Sequence, residues 1–155
     1  KEKNIPTLNH SDFIEQIDQH EHPIYPQLGL HWSYYGATIA FEKMIQEMES
    51  LLKRPMPTAK KIITYSSDLS DDDQELLNGS NIQSIAPILP MPYPNIQYLS
   101  DSTIQKPRVI VIGDSFYKLQ YKIGLHQGFF HPSSIFRYYY DNVMTPDTSL
   151  PHLLA

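Results

Sequence analysis

The chain has 155 residues, enough to bury roughly 70% of its unfolded surface around one core, so a single domain over residues 1–155 is expected. Its 41% hydrophobic content, with 11 Tyr and 6 Phe, excludes a disordered composition, and a net charge of -5 with Lys and Arg scattered along the chain in no run longer than two excludes a basic nucleic-acid footprint. No apolar run approaches the ~18 residues of a membrane-spanning helix, and the absence of Cys excludes thiol chemistry and disulfides while leaving the compartment open. Lys1 rather than Met opens the chain, which reads as processed or trimmed.

Asn9 to His22, NHSDFIEQIDQHEH, begins with cap-type residues and puts Phe13, Ile14 and Ile17 on one face, predicting a short amphipathic helix. The prolines of PIYPQLGL end it. The strongest helical pattern is SYYGATIAFEKMIQEMESLLKR. There Ala37, Ala40, Phe41, Met44, Ile45, Met48, Leu51 and Leu52 recur at three and four residues, Ser33 is a natural N-cap, and Pro55 and Pro57 stop the helix.

Lys60 to Ser67, KKIITYSS, is β-branched and aromatic and reads as a strand. LSDDDQELLNG follows as a helical turn, acidic early and with Gly79 near its end. Ser84 to Tyr98 carries Pro87, Pro90, Pro92 and Pro94, which forbid a central strand and favour an extended surface loop lining a cleft. Arg108 to Gly113, RVIVIG, has the nearly continuous apolar pattern of a parallel strand buried on both faces. SFYKLQYKIGLHQ is a helix, and Ser133 to Tyr140, SSIFRYYY, is a strand or a helix turn. The alternation predicts a layered α/β domain with a parallel sheet. Two or three convincing strands are few for such a sheet, so a partial domain, truncated at one or both ends, is expected.

VIVIGDSF raises the question of chemistry. A serine at a strand end and helix start faces free backbone N–H groups and the positive end of the helix dipole, the setting in which donors at Gly113 and Asp114 stabilise an oxyanion formed by attack from Ser115. The same tripeptide also suits a plain helix cap. A nucleophile needs a base, and the candidate is His31 in GLHWSYYGA, on the loop feeding the long helix and next to Trp32. A local packing role suits it too. His126 and His131, flanking QGFF, are less well placed, and His10, His20, His22 and His152 lie in polar or terminal stretches. HEH at 20–22 has no third ligand at a metal-site spacing, and no glycine loop cradles a phosphate; neither metal nor cofactor is expected.

HWSYYGA followed later by VIVIGDSF resembles the AlgX/AlgJ-type SGNH hydrolase-like family, alginate and exopolysaccharide O-acetyltransferases marked by D-x-H-W-[NS]-x-x-G-A and a later G-D-S-[FY]. The order is the reverse of that in ordinary SGNH esterases, and the resemblance covers Tyr25 to about Asn142. It implies an SGNH-hydrolase-like three-layer sandwich, Ser115 as nucleophile and His31 as base, and acyl transfer to a polysaccharide. Trp32, Tyr34, Tyr35, Tyr117, Tyr121 and Tyr138 to Tyr140 become candidates for stacking on sugars, with core packing as their alternative. A membrane-bound O-acyltransferase delivering the acetyl group is the implied partner, and a bacterial periplasmic, extracellular or outward-facing tethered location the implied setting. The motif's Asp should stand two residues before the histidine, where this chain has Gly29. A Ser-His dyad, a carboxylate from elsewhere (Asp18 and Glu21 lie upstream), or a carbohydrate-binding or assembly module without catalysis would each follow. With water as acceptor the same site would be an acetyl esterase.

Overall fold

The structure, a computed structural model, describes residues 19–80, 87–99, 103–138, 142–144 and 149–151. Most of the helix predicted from Asn9 lies outside these residues, as do Asp18, Tyr139 and Tyr140. The long helix, α1, runs Tyr34–Leu52. Ser33 caps it by accepting the Gly36 N–H at 3.0 Å, and the same hydroxyl donates to Pro23 O at 2.7 Å, binding the helix start to the preceding loop. Its inner face buries Ala37, Ala40, Phe41 and Ile45. Leu51 and Leu52, expected on that face, are exposed because the last turn runs past the core before Lys53 ends the helix in the left-handed conformation.

Strand β1, Thr58–Ser66, pairs antiparallel with β2, Met91–Leu99, from Thr58↔Leu99 to Ser66↔Met91. The proline-rich stretch expected as a loop is therefore largely a strand. Among the described residues two strands make this sheet, so each has an outer edge that needs no donors. Pro92 and Pro94, two residues apart, put their missing N–H groups on one edge, which an edge strand tolerates. Between the strands a 3₁₀ turn, Asp71–Gln74, continues into a short helix, α2, Glu75–Gly79. Lys61 Nζ on β1 meets Glu42 Oε2 on α1 at 2.5 Å, tying the two together.

Strand β3, Ile110–Gly113, lies parallel to β4, Ile135–Tyr138, with Ile110↔Ile135 through Gly113↔Tyr138. Helices α3, Ser115–Lys122, and α4, Leu125–Phe129, make the crossover. The single helix expected here is broken at Gly124, whose φ of 86° suits glycine and turns the chain. β5, Asn142–Met144, and β6, Ser149–Pro151, extend the sheet antiparallel in the order β3-β4-β5-β6. The core gathers Phe41, Ile45 and Met56 with Tyr117, Tyr121, Leu125, Phe129, Phe130 and Phe136.

The expectation that β3 is buried on both faces is corrected. Val109 and Val111 pack on the core, but Ile110 and Ile112 are each 74% exposed, because nothing among the described residues covers the second face. The described residues form a mixed α/β fold with two small sheets, one holding a parallel pair.

Candidate functional site

The site begins with the packing of the 28–31 loop on the acidic turn. Ser70 caps the 3₁₀ turn, its Oγ accepting the Asp73 N–H at 3.3 Å and donating to Asp73 Oδ2 at 2.9 Å. Asp73 is fully buried, and its Oδ2 also accepts from Tyr93 OH; burial raises its pKa against the opposing pull of those hydrogen bonds. Leu76 N–H then donates to Leu28 O at 2.8 Å, and Leu30 N–H to Glu75 Oε2 at 3.0 Å. These bonds bring the Glu75 carboxylate under the histidine.

His31 Nδ1 lies 2.8 Å from Glu75 Oε2 and 3.0 Å from Oε1. An ionised carboxylate only accepts, so Nδ1 carries a proton, and the tautomer this contact favours has its lone pair on Nε2. Both side chains are partly shielded, at 21% and 28% exposure, which leaves the imidazole oriented yet reachable. A carboxylate at position 29 would not fit: a Cβ on Gly29 would stand 2.4 Å from Pro26 Cγ and 2.6 Å from Asp72 O. The space where a motif aspartate would start is filled by the backbone of the turn that delivers Glu75.

Ser115 opens α3 directly after β3, but it is not the cap. Asp114 is, accepting the Phe116 N–H at 3.0 Å, so the helix-cap reading of Ser115 passes to its neighbour. Ser115 is partly buried, and the hydrogen bonds of the His31 ring among the described residues go to Glu75, not to Ser115 Oγ. The two segments meet through Phe116, whose ring centroid is 5.1 Å from that of His31 and 5.5 Å from that of Trp32, both edge-on. Gly113 ends β3 and Asp114 caps α3, its side chain taking one of the amide donors that a helix leaves open in its first turn. Beside Glu75 lies a cleft of about 420 Å³ walled by Leu28, Leu30, Leu76 and Leu77.

The tyrosines separate into two groups. Trp32 is half-buried, stacked at 6.5 Å on Tyr25. Tyr34 is also half-buried; its OH donates to Asp72 Oδ2 at 3.3 Å, its ring meets Tyr93, and burial raises its pKa. Tyr35, Tyr117 and Tyr121 are interior, a correction to the expectation that they face a sugar. Tyr117 and Tyr121 pack on Phe136, and Tyr35 meets His22. Burial drives the Tyr117 hydroxyl far above its ordinary pKa, and its partner is His126 Nδ1 at 2.8 Å.

Sequence reasoning missed Glu75. Its acidic run, DDDQE, is explained completely by the preference for carboxylates at a helix start, and no local pattern tells which one turns towards a loop 44 residues upstream. Glu21 stands 4.0 Å from His22 Nε2, in a neighbouring pair of its own. Among the described residues no group of three His, Asp or Glu could hold a metal ion, and no helix is long and apolar enough to cross a membrane. No protein-family model matches the chain, and neither does any curated protein or solved structure.

Proposed function

We propose that the chain is part of an SGNH-like three-layer domain that transfers an acetyl group to a polysaccharide hydroxyl, with Glu75, His31 and Ser115 as orienter, base and nucleophile. The observation that carries this reading is the Glu75 carboxylate on His31 Nδ1. It supplies, from another element, the acid absent at Gly29, and it leaves the Nε2 lone pair that a base requires.

His31 Nε2 takes the proton from Ser115 Oγ as the oxygen attacks the acetyl carbonyl of an ester or thioester. Backbone N–H groups at the Gly113–Ser115 turn stabilise the resulting oxyanion. Collapse of the tetrahedral intermediate breaks the bond to the donor, whose leaving group receives the proton from His31. A sugar hydroxyl then attacks the acetyl-serine while His31 removes its proton, and Ser115 is regenerated. Trp32 and Tyr34, the half-buried aromatics on the histidine side, are the candidate sugar contacts. Such a reaction has its setting outside the cytoplasm, beside a membrane-bound O-acyltransferase that supplies the acetyl group. With water in place of the sugar the same site is an acetyl esterase.

A non-catalytic carbohydrate-binding or assembly role is favoured by one observation, the lack of a hydrogen bond between Ser115 and His31. Such bonds commonly tighten only when substrate binds, so the separation is compatible with catalysis. Hydrolysis of 4-nitrophenyl acetate by the chain and by Ser115→Ala separates the readings: a fall to background with the variant, and an acetyl adduct on Ser115 by mass spectrometry, support the proposal. Equal rates would exclude Ser115 as nucleophile. Acetylated glycan product then distinguishes transferase from esterase.

A further inference from the structure

A second cleft, of about 420 Å³, opens at the end of β3 opposite Ser115 and is lined by Arg54, Gln105, Lys106, Pro107, Arg108 and His131. Half of that lining is permanently cationic and none of it is acidic, in a chain whose net charge is -5. Among the described residues, the Lys and Arg ion pairs are Lys61–Glu42 and Lys122–Asp72; Arg54, Lys106 and Arg108 belong to none. Like charges gathered without counter-charges repel one another, and an anion in the cleft relieves that repulsion.

The donors are held in place. Arg108 Nε donates to Ser133 Oγ at 2.7 Å, which fixes the guanidinium by one edge and leaves both terminal nitrogens available. Ser133 N–H donates to His131 Nδ1 at 3.1 Å, so Nδ1 is an acceptor and the ring proton sits on Nε2 as a further donor. Lys106 Nζ reaches Gln127 O at 3.2 Å and has two protons to spare. The backbone beneath is pinned by His131 N–H to Pro107 O at 2.9 Å and by Ile135 N–H to Val109 O at 3.0 Å. A ligand would therefore meet an ordered site.

We infer that this cleft binds a doubly charged oxyanion, either free phosphate or the phosphate of a small phosphomonoester. A guanidinium fork matches two oxygens of such a group, and an ammonium, a second guanidinium and an imidazole N–H remain for the others. A carboxylate, with one charge and two oxygens, would leave most of them unused. The volume lies within the range of small-molecule sites, which leaves room for an organic portion on the phosphate. Arg108 precedes β3 and Ser115 follows it as the first residue of α3, so the strand lies between the cleft and the serine. The inference is thus independent of the acyl-transfer proposal.

Isothermal titration calorimetry tests it, with inorganic phosphate, phenyl phosphate and acetate at constant ionic strength, on the chain and on Arg108→Gln, Lys106→Gln and Lys60→Gln. All three residues are exposed, and circular dichroism verifies that the variants are folded. Saturable phosphate binding is expected, weakened about tenfold by Arg108→Gln, reduced by Lys106→Gln and unchanged by Lys60→Gln on β1. Tighter binding of phenyl phosphate would identify a phosphomonoester as the ligand, and equal or weaker binding free phosphate. Absence of saturable binding, acetate binding as tightly as phosphate, or the same loss in Lys60→Gln as in Arg108→Gln would overturn the inference.

Discussion

Glu75 holds His31 by its Nδ1 across 44 residues of chain, at 2.8 Å, while its other contact, to Leu30 N–H, fixes the loop on which the histidine sits. One carboxylate thus sets both the tautomer of the ring and the position of its backbone. Glu75→Gln keeps the shape and an oxygen for Leu30. Its amide N–H₂ can face Nδ1, however, and would then favour the tautomer whose proton is on Nε2, the wrong form for a base. On the proposed reaction the variant should lose about 10² to 10⁴ in turnover of an activated acetyl ester, while its melting temperature stays close to that of the parent. Unchanged turnover would show that the pair is structural.

Gly29 invites the opposite experiment, restoring the acid where the resembled motif carries it. Gly29→Asp should fail to rescue Glu75→Gln and should itself destabilise the fold, because its Cβ would collide with Pro26 and with the Asp72 carbonyl. The Asp72 side is backbone and cannot rotate away. Overpacking of this kind costs about 1–3 kcal/mol, visible as a lower urea midpoint with an unchanged slope. A variant as stable as the parent would mean that the loop and the acidic turn can separate without penalty.

How far these features were legible depends on the range of the interactions. Helix α1 and its Ser33 cap follow from local periodicity and a side-chain oxygen three residues from its target, and both appear in the sequence. The start of α3 was legible as well, though Asp114 rather than Ser115 proved to be its cap. The β2 strand was hidden because proline content is a weak guide once a strand has a free edge. For β3, Ile110 and Ile112 have the composition of buried residues, and only the spatial arrangement reveals one uncovered face. Glu75 was least legible, since its partner is set by the docking of two loops through Leu28, Gly29 and Leu76.

Phe116 is the physical link between the serine helix and the histidine loop, and Trp32, the only tryptophan of the chain, reports on it. Phe116→Ala removes the ring from both neighbours and admits water beside the indole. Tryptophan emission should move to longer wavelength, and stability should fall by about 1–3 kcal/mol, towards the low end of aromatic truncations because the residue is only half-buried. If acyl transfer occurs at Ser115, its rate should fall as well. Unaltered emission would show that Phe116 does not shield Trp32.

His126 gives the fold a dependence on pH that is separate from the candidate site. It is wholly buried, with Nδ1 against Tyr117 OH, and burial holds its pKa below the ordinary 6.5 against a smaller opposing influence from the Ser134 backbone. The unfolded chain takes up its proton as pH falls through 6.5, and the folded chain only at lower pH. Between those points the unfolded state binds more protons, so stability must decline on acidification through that interval. The neutral ring contributes fully above 6.5, and the loss is complete once pH has fallen below the folded value. His126→Gln retains an acceptor for Tyr117 and removes the titration. Melting curves from about pH 7 to about pH 5 should show the parent losing stability faster than the variant, so that the gap between them narrows in acid. Parallel lines would exclude His126 as the titrating group.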